Sequence, residues 1–223
     1  MDEIFVTAEA MARHRDIVAL AEGAGTEIIR SSGEVVAALS GTVTPQGMVA
    51  VVTHLDQRLS DLPEHARLVA LLSHARDPGN AGTIIRTADA VGADAVVLTD
   101  ASVDPYNGKC VRASVGSLFH LPIVRGVVIE EAIDHMRAAG LQVLAADGTG
   151  STDVFSLAAS GALVVPTVWV FGNEAWGIPP ETQALADAVV RVPIYGRAES
   201  LNLATAASVC LYASAQAQRA ASS

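Results

Sequence analysis

Three runs in this chain, Leu68 to Leu72, Ala95 to Leu98 and Val164 to Phe171, are apolar at almost every position. A strand with one wet face alternates polar and apolar residues, so runs without alternation belong to strands covered on both faces. Between the first two runs Ala81, Ile84, Ile85, Ala88 and Val91 recur at helical spacing. Leu141 to Ala145 and Val189 to Ile194 repeat the strand pattern, while Ile129 to Ala139 and Leu201 to Arg219 repeat the helical one. Strands alternating with helices in this way predict an α/β fold around a mostly parallel sheet.

Ahead of Arg67 the pieces are shorter. Ile4 to Thr7, Glu27 to Ile29 and Met48 to Thr53 read as strands. Ala8 to Ala24 reads as one alanine-rich helix, and Ser31-Ser32 can cap a second that runs to Leu39. Gly41 to Gly47 is a turn-rich hinge, and the polar stretch from Asp56 to His65, with Pro63 inside it, reads as a linker. The expected organisation is a small α/β domain over 1–54, a linker over 55–66 and a larger α/β domain over 67–223.

A chain that is 51% hydrophobic and 17% charged can bury a sizeable core, and with only 4% aromatic residues that core must be mostly aliphatic. The net charge of −10 argues against a broad, sequence-independent grip on nucleic acid, which needs a basic face. It leaves room for a local basic patch, and Arg76, Arg86, Lys109, Arg112, Arg125 and Arg197 fall near the polar motifs described next. Cys110 and Cys210 have no paired spacing, so neither a disulfide framework nor a metal site is expected, which fits a reducing cytoplasm. No secretory signal opens the chain, and no apolar run is long enough to span a bilayer.

The polar motifs are Asp77-Pro78-Gly79-Asn80 leading into a helix that carries Arg86, then Gly172-Asn173-Glu174 after a buried strand, then Ser200-Leu201-Asn202 ahead of the last helix. Singly, each has an ordinary structural reading. Asn80 has the spacing of a helix N-cap, and Arg86 could be solvated or paired with Asp89 on the next turn. Glu174 could be a turn carboxylate, Gly172 and Gly177 turn glycines, and Ser200 a cap with Asn202 one turn in. Together they are polar turns at strand ends and helix starts, where open α/β sheets bind ligands. No GxGxxG follows the first long strand, which disfavours an ordinary dinucleotide fold.

Taken in order, the three segments closely resemble the motifs of the SpoU/TrmH-type branch of the SPOUT RNA methyltransferases, over roughly residues 67–215. The stretch from Asp104 to Ser117 is similar to a further region of that family, and residues 1–54 resemble its ribosomal-protein-L30e-like substrate domain in a shortened form without the first basic element. The family pattern often has Gly-Asn-Glu-Gly where this chain has Ala175 and then Trp176.

The resemblance implies a C-terminal trefoil knot, a homodimer that completes each active site from both chains, and 2′-O-methylation of a ribose in structured RNA, ribosomal in preference to transfer RNA. It implies S-adenosyl-L-methionine as methyl donor, held by Gly172, Asn173, Gly177, Val192, Pro193, Ile194, Leu201 and Leu203. Arg86, Asn80, Glu174, Ser200 and Asn202 become the candidate catalytic set, with Lys109 and Arg112 as candidate phosphate contacts; no metal and no membrane enter. A non-catalytic RNA-binding or ribosome-associated protein that keeps the fold is the alternative.

Overall fold

The computed structural model describes residues 1–42 and 44–221, and falls into two compact units, Met1–His54 and a second that starts at Leu55. The first unit runs β1 (Glu3–Val6), α1 (Ala8–Arg13), α2 (Arg15–Gly23), β2 (Glu27–Arg30), α3 (Gly33–Ser40) and β3 (Met48–Val51). Its sheet has the order β2-β1-β3, with β1 parallel to β2 and antiparallel to β3. The expected single helix over 8–24 is two, because His14 leaves the helical region at φ −117°, ψ 52°. Ser32 caps α3 as its position suggested, through a bond from Val35 N. The hinge read over 41–47 contains Val43, which lies outside the described residues.

The second unit runs β4 (Leu68–Leu72), α4 (Pro78–Val91), β5 (Ala95–Thr99), α5 (Gly108–Ser114), β6 (Ile123–Val127), α6 (Ile129–Ala138), β7 (Gln142–Ala146), β8 (Thr152–Asp153), α7 (Val154–Ala159), β9 (Thr167–Phe171), α8 (Pro180–Gln183), β10 (Ala188–Arg191) and α9 (Leu203–Ala220). Seven strands form one sheet in the order β6-β5-β4-β9-β7-β10-β8, and every pairing within it is parallel.

The apolar runs are explained by burial on both sides. Along β4 the side chains of Leu68, Ala70 and Leu72 enter one core with α4 and α9, while Val69 and Leu71 enter a second core with α6. All five residues of β4, β5 and β9 are buried. Trp169 of β9 is the largest fully buried side chain, and its indole N–H donates to Ser214 Oγ of α9 at 2.8 Å, which satisfies a polar group that burial would otherwise penalise.

The 55–66 segment is ordered against the second unit. Gln57 N donates to Ile123 O at 2.7 Å, Leu55 N to the Tyr106 hydroxyl at 2.8 Å, and Leu62 and Ala66 are buried in the core on the α6 side. Its polar composition concealed two apolar anchors.

The chain leaves β4 on one side toward β5 and β6, and returns on the other side with β7 and β9. The neighbours β4 and β9 therefore mark the point where the chain reverses direction across the sheet. Crevices beyond the C-terminal ends of such strands are where open α/β sheets bind ligands. Ser73 N, just past β4, donates to Phe171 O at the end of β9 at 2.8 Å, so the two loops that follow start side by side.

Candidate active site

α4 supplies the first wall. Asp77 is its N-cap, with Oδ1 accepting from Asn80 N at 2.8 Å, and Pro78 takes the first helical position, where its missing N–H leaves no bond unmade. Asn80 is thus not the cap but the third helical residue, and its side chain is free for other partners. Asp77 Oδ2 also meets Lys109 Nζ at 2.8 Å. The Lys109 ammonium first, then the Asn80 N–H, hold the Asp77 carboxyl below the usual range.

The second wall is the turn after β9. Asn173 N donates to Gly177 O at 2.8 Å and Gly177 N returns to Asn173 O at 3.0 Å. The Asn173 side chain accepts from Ala175 N at 2.9 Å and donates to His74 O at 2.9 Å, which ties the turn to the loop beyond β4. Gly177 has φ +73°, whereas Ala175 is not in the left-handed region, so alanine there carries no backbone strain.

Glu174 joins the two walls. Its Oε1 accepts from Asp77 N at 3.1 Å and from Asn80 Nδ2 at 3.2 Å, and its Oε2 accepts from Arg76 N at 3.3 Å. Asn80 Oδ1 in turn accepts from Asn202 Nδ2 at 2.9 Å, and Asn202 Oδ1 accepts from Ala204 N and Thr205 N. Asn202, not Ser200, is therefore the N-cap of α9. One line of hydrogen bonds connects residues separated by up to 122 positions.

Two cavities flank this line. A cavity of about 400 Å³ lies under the 172–177 turn, walled by Gly172, Asn173, Gly177, Val192, Ile194, Leu201 and Leu203, with Ser200 and Glu199 at its polar side. Pro193 does not line it: Val192 and Ile194 both turn inward, and alternation along extended chain sends the residue between them the other way. An open cleft of about 650 Å³ is lined by Arg76, Asp77, Asn80, Asn202 and Glu174, and shares Asn173, Glu174 and Ala175 with the cavity. The cavity has the volume of a small-molecule site, with apolar walls, backbone polar groups and one carboxylate, Glu199, that holds no hydrogen-bond partner among the described residues. That lining fits S-adenosylmethionine, whose flat adenine and ribose are joined to a cationic sulfonium and an amino acid.

Arg86 lines neither cavity. Six residues beyond Asn80, it lies about 9 Å further along α4 and about 120° around its axis. Nor does it pair with Asp89, whose Oδ2 meets His120 Nδ1 at 2.8 Å. Arg86 is exposed, in a stripe with Thr83 and Ala90. Lys109 is already engaged with Asp77, whereas Arg112 is exposed and without a hydrogen-bond partner among the described residues.

The sequence reading gave no site role to Asp147, Asp77 or Glu199. Asp147 lines the cavity and holds its far edge, with Oδ2 accepting from Ile178 N at 3.2 Å and Oδ1 from Thr149 N at 2.9 Å. Its signal was present as Asp147-Gly148-Thr149-Gly150, a turn sequence straight after an apolar strand. Cys110 and Cys210 supply no nucleophile, because burial pushes their thiols up to about 11 and about 12. Among the described residues no cluster of His, Cys, Asp and Glu could hold a metal ion, and no helix is long and apolar enough to cross a membrane.

Glu174 carries a pH consequence. Burial raises its pKa, but its own backbone N–H, the Asn80 amide and the N–H groups of Arg76 and Asp77 together outweigh that and leave the carboxyl below its ordinary value. A depressed folded-state pKa gives stability that is complete above the unfolded value of about 4.3 and is lost as pH falls through the folded one. Titration of Glu174 is therefore expected to leave the melting temperature flat from about pH 5 to 8 and to lower it in acid. In Glu174→Gln the midpoint is lower at neutral pH and the acid limb is shallower; parallel acid limbs for the two proteins would refute the assignment.

Comparison with known proteins agrees with this geometry. Residues 67–212 match the model of the SpoU rRNA Methylase family, and residues 1–58 match that of the RNA 2′-O ribose methyltransferase substrate-binding domain. A 23S rRNA (guanosine(2553)-2′-O)-methyltransferase of Bacillus subtilis, RlmP, is 38% identical over 190 residues, which cover 84% of this chain and 72% of the relative. An AdoMet-bound rRNA methyltransferase from Sinorhizobium meliloti superposes with a TM-score of 0.84 at 33% identity, over 96% of this chain and 79% of that one. The SpoU methyltransferase AviRb from Streptomyces viridochromogenes, in complex with AdoMet, gives 0.83 at 31%, over 98% and 83%. With its turns after β4 and β9 tied across a cavity of cofactor size, and its sequence matched over both regions, the chain belongs to the SpoU rRNA methylase family.

Proposed function

We propose that this chain transfers a methyl group from S-adenosylmethionine to the 2′-hydroxyl of a ribose in structured RNA, with 23S ribosomal RNA as substrate in preference to transfer RNA. The observation that carries it is the shared wall: Asn173, Glu174 and Ala175 line both a cavity fit for the methyl donor and a polar cleft open to a macromolecule. The relatives that are named for 23S rRNA support the choice of RNA. When bound, the cofactor supplies an electrophilic methyl on a cationic sulfur.

The chain's own work is alignment. Glu174 spends its oxygens on backbone N–H groups and Asn80, so it fixes the cleft instead of meeting phosphate. Asn80 keeps one amide hydrogen after donating to Glu174, and Asn202 keeps one after donating to Asn80 Oδ1, and these donors suit an oxygen-rich substrate. Ser200, exposed and without a hydrogen-bond partner among the described residues, brings a hydroxyl to the cavity's rim. Arg76 on the cleft and Arg112 on α5, both exposed and with side chains unpaired among the described residues, offer cations for phosphate, with Lys109 in a lesser role because Asp77 already neutralises it.

Arg86 acts on the site of a second copy. Its distance along and around α4 from Asn80 keeps it from its own cleft, and the exposed groove beside it, lined by Ala90, Phe155, Val209 and Tyr212, would serve as the face on which two copies pack. In the partner's site the guanidinium holds the phosphate next to the target ribose, a role its planar fork of donors suits, or takes the proton of its hydroxyl. A homodimer, a C-terminal trefoil knot and cytoplasmic residence complete the proposal.

The test is transfer of labelled methyl from S-adenosylmethionine to 23S rRNA and to tRNA, followed by alkaline hydrolysis, to which a 2′-O-methylated linkage is resistant. One resistant labelled dinucleotide from 23S rRNA is expected, and none from tRNA. Label on tRNA alone reassigns the substrate. Cofactor binding with no transfer to any RNA removes the catalytic reading in favour of an RNA-binding protein.

A further inference from the structure

Trp176 is unusual for this chain. The protein has two tryptophans in a composition that is only 4% aromatic, and it buries one of them completely while leaving the other 52% exposed. The exposed one lies on the rim of the 400 Å³ cavity, two residues beyond Glu174, so its Cα is within about 7.6 Å of the residue that joins cavity and cleft. Its indole N–H has no acceptor among the described residues.

Its orientation is set by His74. The two rings lie edge to face, 5.3 Å between centroids and 65° between planes. His74 is one of two residues other than glycine with positive φ among those described, at +59°. Such a backbone costs free energy and persists only where its surroundings impose it. Here they do: the His74 carbonyl accepts from Asn173 Nδ2 at 2.9 Å, its N–H donates to Thr99 Oγ1 at 3.3 Å, and its ring Nδ1 meets Ser73 Oγ at 3.0 Å. Four tethers, counting the Trp176 ring, thus hold a strained residue whose visible effect is to brace an exposed indole.

We propose that Trp176, braced by His74, is a stacking platform for an unpaired nucleobase of the RNA beside the ribose that is methylated. The inference rests on the reading of the chain as an RNA ribose methyltransferase and adds the residue that grips a base. A flat apolar surface on the cavity rim, next in the chain to Ala175, which also lines the polar cleft, complements a splayed-out nucleotide, and single-stranded RNA is commonly held by such aromatic stacking. Every base has a π-face, so the platform contributes affinity without base identity.

Because Trp169 is fully buried, acrylamide quenching of tryptophan fluorescence reports on Trp176. Because Trp176 lines the cofactor cavity, S-adenosylhomocysteine gives the reference level of shielding, and in-vitro-transcribed 23S rRNA added to that complex is expected to shield the indole further. Trp176→Ala, assayed at saturating S-adenosylmethionine, should raise KM for that RNA about tenfold, within the range of removing one base-stacking aromatic, with kcat little changed. Trp176→Phe should recover most of the loss, which a merely structural role would not give at so exposed a position. An unchanged KM in Trp176→Ala, or no shielding by RNA beyond that of S-adenosylhomocysteine, overturns the platform while the methylation reading stands. Absence of methylation by the unmodified protein sinks that reading instead, and shielding by RNA then still decides the platform.

Discussion

Arg86→Ala is expected to bind S-adenosylhomocysteine as tightly as the unmodified protein, to melt at the same temperature, and to transfer methyl groups about 10²- to 10⁴-fold more slowly, the range for removing a group that handles a proton in the transition state. The first two expectations follow from geometry. Arg86 lines neither cavity, is exposed, and makes no hydrogen bond or ion pair among the described residues. A residue with so little to do in its own protomer is dispensable for folding. The loss is therefore not a stability effect in disguise, and Arg86→Lys should not rescue it, since an ammonium lacks the planar fork that meets phosphate with two bonds. Mixing separates action in cis from action in trans. Asn202→Ala breaks the line of hydrogen bonds in its own protomer but keeps Arg86, while Arg86→Ala keeps Asn202. An equal mixture should regain transfer that neither variant shows alone, because one site in each mixed dimer is complete. Near-normal turnover in Arg86→Ala would remove the residue from the mechanism, and a silent mixture would return it to its own chain's site.

Most of the framework was legible because burial leaves a strong trace. Leu68 to Leu72 could be read as a two-sided strand since both of its faces meet a core, and the same holds for Ala95 to Leu98 and the end of Val164 to Phe171. The cap positions were misread for a local reason. Asp77 and Asn80 are both good capping residues within one turn, as are Ser200 and Asn202, and capping preference does not separate them. Pro78 did hold the answer for the first pair, because proline favours the first helical position and so points to the residue before it. The orientation of Arg86 could also have been read by counting six residues around the helix from Asn80. What no local pattern carries is the meeting of Asn80 with Asn202 and of Glu174 with the Arg76 and Asp77 backbone. Those depend on β9 entering beside β4, a strand order set by packing across the whole sheet.

Gly172→Ala is expected to cost the protein its cofactor site. Gly172 follows directly on β9, and an added Cβ would lie 2.4 Å from Gly177 O, 2.5 Å from Gly177 C and 2.6 Å from Ile178 Cγ1. The isoleucine tip could move, but the two backbone atoms are fixed by the reciprocal Asn173–Gly177 hydrogen bonds and by the bond from Ile178 N to Asp147. Relief requires opening the turn. That withdraws Asn173 from the His74 carbonyl and Glu174 from Arg76, Asp77 and Asn80, so one methyl group acts on every link between the two walls. Overpacking of a tight site costs about 1–3 kcal/mol, which for a domain of this size lowers the melting temperature by several degrees without preventing folding. Affinity for S-adenosylhomocysteine, measured by calorimetry below the transition, should fall by about 100-fold, because the cavity wall itself is displaced, a loss of nearly 3 kcal/mol. Gly196→Ala is the matched control, since a Cβ there meets nothing within 4 Å and the residue lies outside the cavity lining. If Gly172→Ala bound the cofactor analogue as Gly196→Ala does, the turn after β9 would not be the wall of the site.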